Sequence, residues 1–232
     1  MIKRKALVTG GTRGIGKSIV KKLKKKYNLY FTGQIYKKKK NYLQLNLADK
    51  DSVNKFIKQI SKMNFDILIN NAGVNNIKYL DDYSEDEIKK ILNVNLENLI
   101  LITKSVINGM KKNKWGRIVN ISSIWGINPC KKRSIYSLTK SALVSFSKSL
   151  AIEYGKFNIY SNSISPGFIL TDLTKKSLSI KQINILKKRV PIQRFGKANE
   201  IAEIVLFLCK ETGYINGANI VADGGFSSGY EV

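Results

Sequence analysis

Short runs of β-branched and other apolar residues alternate with longer stretches of helical periodicity along nearly all of this 232-residue chain. The strand-like runs are Ala6 to Thr9, Leu29 to Thr32, Tyr42 to Leu45, Ile67 to Asn70, Arg117 to Ser122, Tyr160 to Ile164 and Asn219 to Val221. Between them lie amphipathic segments at Ile15 to Lys25, Ser52 to Met63, Ser84 to Met110, Ile135 to Tyr154 and Asn199 to Lys210, with Ser84-x-x-Glu87 reading as a capping box. Strands separated by helix-length segments cannot close as hairpins, so they pair in parallel and the helices cross over the sheet. The pattern predicts one α/β domain over residues 1–232, a Rossmann-type doubly wound parallel sheet of about seven strands with helices on both faces. One crossover breaks the pattern. Nine residues, Gly33 to Asn41, separate the second and third strands, and four of them are Lys37 to Lys40. A parallel crossover normally takes about a dozen residues or more, so a helix is missing here or reduced to a loop.

Composition narrows the chemistry. The chain has no histidine, which removes the Ser-His-Asp triad, HExxH zinc chemistry and any imidazole base. Catalytic acids must be Tyr, Lys, Cys, Asp or Glu. Cys130 and Cys209 stand far apart without ligand spacing, so neither a disulfide framework nor a metal site is expected. Lys+Arg number 41 against 16 Asp+Glu, a formal charge of +25. The lysines are scattered in short clusters rather than gathered in one arm, which fits a solvated surface or one suited to an acidic partner, with no specific nucleic-acid site. The apolar stretch behind MIKRK ends at Thr9 and no run approaches the ~18 apolar residues of a membrane span. A soluble, cytoplasmic protein without a membrane partner is expected.

The first strand runs into Thr9-Gly10-Gly11-Thr12-Arg13-Gly14-Ile15-Gly16 and then directly into a helix with the apolar face Ile15, Ile19, Val20 and Leu23. Glycines let the backbone turn sharply and approach a pyrophosphate, and the free amides of a helix start supply a positive field. At a first βα junction this predicts a dinucleotide site. A site for NAD would place Asp or Glu about 20 residues on, to hold the ribose 2′-hydroxyl. No Asp or Glu precedes Asp49, and Thr32, Gly33 and Gln34 end the second strand. NADP(H) is therefore favoured over NAD, with Arg13 and one or more of Lys37 to Lys40 as 2′-phosphate partners, although those lysines could equally just solvate a loop.

Tyr136 and Lys140 stand four positions apart in a helical segment, so their side chains share a face. A neighbouring ammonium favours the phenolate and draws the phenol pKa toward the working range. Together with this pair, the TGxxxGIG turn, Asn70-Asn71-Ala72-Gly73 after the fourth strand, Asn93-Val94-Asn95, Ser122-Ser123 and Pro166-Gly167 after the sixth strand make the chain resemble the short-chain dehydrogenase/reductase family over essentially its whole length. The resemblance implies a catalytic tetrad of Asn95, Ser123, Tyr136 and Lys140. Ser123 would hold the substrate carbonyl oxygen, Tyr136 would protonate it, Lys140 would lower the Tyr136 pKa and bond the nicotinamide ribose, and Asn95 would anchor a water relaying protons toward Lys140. It further implies cofactor contacts from Gly10, Thr12, Arg13, Gly14, Ile15 and Gly16, from Asn46 and Leu47 after the third strand, from Asn71, Ala72 and Gly73, from Tyr136 and Lys140 themselves, and from Pro166, Gly167, Ile169 and Thr171. No metal is required.

Within the family, Pro166 to Leu173 and Val190 to Gly196 resemble the branch that reduces 3-oxoacyl groups held on an acidic acyl carrier protein during fatty-acid synthesis. That implies a mobile lid over 172 to 192 and a carrier-docking pair near the active-site mouth. The first docking position is matched by Lys114; the second falls on Phe157, with Lys156 beside it. The short Gly33 to Asn41 crossover is also found in relatives acting on diols, sugars or other small alcohols, and Trp125 could restrict long acyl chains or simply pack. A non-catalytic NADP sensor is the third reading. The apolar helices Ser84 to Met110 and Ile135 to Tyr154, which pair subunits in the family, imply a homotetramer.

Overall fold

The computed structural model describes residues 3–35, 37–171, 174, 179–210 and 213–229. Seven strands form one parallel sheet: β1 (Lys5–Val8), β2 (Asn28–Gly33), β3 (Tyr42–Gln44), β4 (Ile67–Asn70), β5 (Gly116–Ile121), β6 (Ile159–Pro166) and β9 (Asn219–Ala222). Their order is β3-β2-β1-β4-β5-β6-β9, with Ala6 opposite both Leu29 and Ile67. The chain winds outward from β1 to β3, then crosses back to β4. A crevice opens at that reversal, outside the carboxyl ends of β1 and β4, and it is the usual seat of a ligand in such sheets.

Helices cover both faces, and the pleat explains why. Ala6 and Val8 join Ile67, Ile69, Val119 and Ile121 under α1 (Gly14–Leu23) and α7 (Ala198–Leu208). Leu7, Leu68 and Ile118 point the other way, under α2 (Lys50–Ile60), α4 (Asn98–Lys112) and α5 (Ser134–Tyr154). Strands buried on both sides read as continuous apolar runs rather than alternating ones, as ILIN and RIVNI do. Among the described residues no helix is long and apolar enough to cross a membrane.

The short crossover contains no helix among its described residues, and Phe31, Thr32 and Gly33 still pair in parallel with Tyr42, Leu43 and Gln44. The exposed flank that a helix would cover is patched locally. Tyr42 packs edge-on against Phe31 at 5.4 Å and donates its hydroxyl to the Ile35 carbonyl, while the Lys39 ammonium stands 5.6 Å from the Phe31 ring.

Two expectations are corrected. The segment Ser84 to Met110 is not one helix. It consists of α3 (Glu85–Leu92), opened by the Ser84/Glu87 capping box, a π turn at Asn93–Glu97, and α4. The wider turn slips the hydrogen-bond register, so the Asn98 amide donates to Asn93 O. The carrier-docking positions Lys114 and Phe157 do not border the crevice of their own chain: they immediately precede β5 and β6, at the opposite edge of the sheet. There Lys111 and Lys156 lie 5.0 and 5.4 Å from the Phe157 ring, so that edge stays cationic.

Two short strands, β7 (Ile169–Leu170) and β8 (Gly196–Lys197), pair in parallel, and α6 (Ile180–Lys188) lies between them, opened by a Ser179/Gln182 capping box. The expected lid 172 to 192 falls partly outside the described residues, at 172, 173 and 175–178.

Candidate active site

The glycine turn is shaped by close approach. Gly10 and Gly14 adopt φ of +67° and +53°, a region that disfavours any side chain. A Cβ on Gly16 would collide with the Gly10 carbonyl oxygen and stand 2.5 Å from Asn71 Nδ2; one on Gly11 would meet Val20 and Phe31 at 2.7 and 2.8 Å. The turn is pinned from β4: Asn71 Nδ2 donates to Thr9 O (3.0 Å) and Gly10 O (3.1 Å), and Thr9 Oγ1 accepts from the amides of Asn71 and Ala72 (3.0 and 3.1 Å). At the start of α1 no side chain caps the first amides and the first turn carries no acidic residue. A dinucleotide pyrophosphate fits such a place, because open N–H groups and the helix dipole meet a backbone with no side chain in the way. Thr12 and Arg13 are exposed beside it, and Ile15 packs on the core below.

Of the other expected cofactor residues, Asn71, Ala72 and Thr171 contact this turn. Thr171 lies over Gly14, where an added Cβ would be 3.6 Å from its Cγ2, and its hydroxyl shares a 3.0 Å hydrogen bond with Thr174. Pro166 ends β6, Gly167 packs directly on Asp223, and Ile169 is buried in β7. Asn46 is half-buried and accepts from the Ala48 amide. The Leu47 side chain is in the core and its carbonyl accepts from Asn98 Nδ2 at 2.8 Å.

The tetrad residues converge at the carboxyl ends of β4 and β5. Ser123 follows β5, and its Oγ accepts from the Trp125 amide at 3.2 Å, which leaves the hydroxyl proton free to donate. That hydroxyl is within hydrogen-bonding reach of the Tyr136 phenol. One helical turn on, Lys140 Nζ is 5.6 Å from the Tyr136 ring centroid and donates to Ile121 O at 2.8 Å. Ser122 returns the bond, its hydroxyl donating to Lys140 O at 2.7 Å. This reciprocal pair staples the end of β5 to α5 and so fixes Ser123 relative to Tyr136. Asn95, in the π turn, is fully buried; it accepts from Val74 N and donates to Val74 O, both at 2.8 Å. A Cβ on Gly73 would stand 3.3 Å from Asn95 Oδ1 and 3.6 Å from Lys140 Nζ, so only glycine passes comfortably between them.

The electrostatics differ from the expectation in one respect. Burial pushes the Tyr136 phenol above its ordinary value, opposed by the hydrogen bond to Ser123 and the charge of Arg133. The predicted lowering by Lys140 does not appear, since Lys140 is itself desolvated and its pKa falls to about 8. The phenol therefore holds its proton through neutral pH, as an acid must. Lys140 is charged below about 8 and loses its proton above it, so a reaction that uses the ammonium should lose rate as pH rises through that value. We expect the alkaline limb of kcat/KM for carbonyl reduction near pH 8; a profile flat across that value would remove the ammonium from the mechanism.

The sequence reading missed the interior polar lattice behind the site. Asn70 Nδ2 bridges Thr103 Oγ1 and Asn120 Oδ1 (3.0 and 2.8 Å), and Asn120 donates to Ser147 at 2.8 Å. These bonds tie β4 and β5 to α4 and α5. Trp125 is half-buried and packs edge-on to Phe168 and Phe226 at 5.8 and 5.9 Å. Two surface hollows, of about 470 and 370 Å³, include no tetrad residue. Among the described residues no three His, Cys, Asp or Glu side chains form a metal site.

Comparison with known proteins agrees with this geometry. Residues 10–227 match the family described as Enoyl-(Acyl carrier protein) reductase. The chain is 38% identical to a 3-oxoacyl-[acyl-carrier-protein] reductase of Aquifex aeolicus, over 95% of this chain and 96% of that protein. It is 39% identical to the protein of that name from Buchnera aphidicola subsp. Schizaphis graminum, over 96% and 97%. Among solved structures, ElxO with NADP bound superposes with a TM-score of 0.89 at 29% identity, covering 98% of this chain and 100% of that one. A 4-hydroxyisoleucine dehydrogenase complexed with NADH superposes at 0.91, also at 29% identity with the same coverage.

Proposed function

The chain belongs to the short-chain dehydrogenase/reductase family and is an NAD(P)-dependent oxidoreductase, and we propose that it reduces a 3-oxoacyl thioester to the 3-hydroxyacyl thioester with NADPH. The observation that carries the proposal is the meeting of Ser123, Tyr136 and Lys140 at the mouth of a crevice floored by the glycine turn. NADPH, when bound, supplies a hydride to the carbonyl carbon. Gly10, Thr12, Gly14, Ile15 and Gly16 would seat its pyrophosphate, Asn71, Ala72 and Gly73 the neighbouring ribose side, and Pro166, Gly167, Ile169 and Thr171 the nicotinamide side. Asn46 and Leu47 would act through backbone and packing. Arg13 is the 2′-phosphate partner we favour, since β2 ends without a carboxylate and Lys39 is turned onto Phe31.

Ser123 donates to the substrate carbonyl oxygen, aimed where negative charge develops. Tyr136, kept protonated by burial, delivers its proton to that oxygen. Lys140, one helical turn on, is the source from which the phenol is reprotonated. Asn95, locked to Val74, fixes the wall through which a water-borne proton reaches Lys140. Two hydroxyl donors converging on one oxygen favour a ketone over a carbon–carbon double bond as the reducible group.

The same reading places one domain over residues 1–232, a cytoplasmic enzyme and a homotetramer. It also takes an acidic carrier protein as the donor of the thioester. Because Lys114, Lys156 and Phe157 lie away from their own crevice, carrier contact through them requires a second copy that brings this edge beside a neighbour's mouth. The short crossover supports a second reading, a small alcohol or diol dehydrogenase. A substrate panel with NADPH and NADH in parallel separates the two. Turnover of acetoacetyl thioesters with a strong NADPH preference is expected; oxidation of diols or sugars with no thioester activity would move the enzyme to the second class.

A further inference from the structure

The proposed tetrad leaves one charge at the site unassigned. Arg133 occupies the N-cap of α5, three positions before Tyr136, is half-buried, and makes no side-chain hydrogen bond to the helix it precedes. Among the described residues, ion pairs are made by Arg4, Lys22, Lys78, Lys89 and Arg194, and none by Arg133. Its field reaches two phenols on different elements, Tyr136 on α5 and Tyr83 just before α3. Arg133 O accepts from Ser137 N at 2.7 Å, so the residue borders the helical turn that carries the proton donor.

Other cations share that rim. Lys131 and Lys132 lie 5.5 and 4.6 Å from the Tyr79 ring, and the Lys78 amide donates to Lys132 O, joining the two loops into one wall. Lys78 is answered by Glu87 at 2.7 and 2.9 Å, but Lys131, Lys132 and Arg133 have no carboxylate among the described residues. The first turn of α5 carries no acidic residue, so the positive helix end adds to the field. A half-buried guanidinium without an anion is a poor arrangement for stability alone, and its planar fork matches the oxygens of a phosphate or carboxylate.

We propose that this rim, centred on Arg133, recognises an oxyanion carried by the substrate, either the phosphate of a phosphopantetheine arm or a carboxylate. Arg133 is then a specificity-determining residue that favours anionic over neutral carbonyl substrates. The inference rests on the carbonyl-reductase reading above. Charge-assisted bonds of this kind are worth about tenfold or more in affinity.

Two matched substrate pairs test it: acetoacetyl-phosphopantetheine against acetoacetyl-pantetheine, and acetoacetate against methyl acetoacetate. Each pair differs only in the anion. The ratio of kcat/KM within a pair is compared in the native protein, Arg133→Gln, Arg133→Met, which keeps the packed stem, and Arg133→Lys. For the pair whose anion is the ligand, we expect the native ratio to favour the charged member and to fall about tenfold in Gln and Met, mainly through KM, with only part of it kept in Lys, which holds the charge without the fork. A fall in the first pair identifies the arm phosphate, a fall in the second the carboxylate. Ratios unchanged in every variant overturn the proposal. The neutral members report the chemistry itself, so their turnover with flat ratios sinks the rim alone, whereas no turnover of any member by the native protein sinks the reductase reading.

Discussion

Replacing Tyr136 with Phe is expected to lower turnover by about 10²–10⁴-fold, the span for a positioned general acid, while leaving cofactor affinity in place. The substitution deletes one oxygen. It leaves the ring that packs beside Lys140, the Lys140 bond to Ile121 O, and the Ser122 bond to Lys140 O. Glycine-turn geometry depends on Asn71 and Thr9, which the change does not touch. Steady-state NADPH oxidation with an acetoacetyl thioester, paired with a fluorescence titration of NADPH, separates chemistry from binding. Near-native turnover in the variant would mean that another group supplies the proton, with Ser123 the next donor in place.

Gly16→Ala should act in the opposite sense, removing binding before chemistry. The new methyl group would collide with the Gly10 carbonyl oxygen and reach within 2.5 Å of Asn71 Nδ2, one of them backbone and the other the amide that pins the turn. Overpacking of this kind costs about 1–3 kcal/mol, and relief must come from moving the turn away from β4. We expect a lower melting temperature and loss of the stabilisation that NADPH gives to the native protein, because a ligand that no longer binds contributes nothing. An alanine variant that still gains its full thermal shift from NADPH would show that the close approach is not what builds the site.

Much of the fold was legible because its signals are local and periodic. The apolar runs marked all seven strands of the main sheet, and the absence of a helix among the described residues between Gly33 and Tyr42 followed from counting residues. The spacing of Tyr136 and Lys140 was readable because four positions in a helix place both side chains on one face. What was not legible depends on register or on long-range contact. The π turn at Asn93–Glu97 shifts the hydrogen bonding without disturbing the apolar pattern, so it looked like continuous helix. Strands β7 and β8 have two residues each and pair across 25 intervening positions, with no alternation to detect. The Asn70–Asn120–Ser147 chain joins three elements, and no spacing rule links those positions.

The electrostatic misreading has a related cause. Proximity of Lys140 to Tyr136 was inferable, but burial was not, and desolvation decides both groups. Lys114 and Phe157 were misplaced because the resemblance carried over positions without their place in the sheet, and sequence order puts them before their strands and away from the crevice. Arg133 drew no attention in a chain with 41 Lys+Arg; its half-buried place at the start of α5, three positions before Tyr136, is what distinguishes it.

The central claim is that this crevice brings a nicotinamide to a carbonyl held by Ser123 and Tyr136. The most direct measurement uses NADPH deuterated at both C4 positions, an acetoacetyl thioester, and mass spectrometry of the 3-hydroxy product. The account predicts one deuterium in each product molecule, bonded to the former carbonyl carbon, with one NADPH consumed per product. Product without deuterium, or NADPH bound and never consumed with any carbonyl, would contradict it.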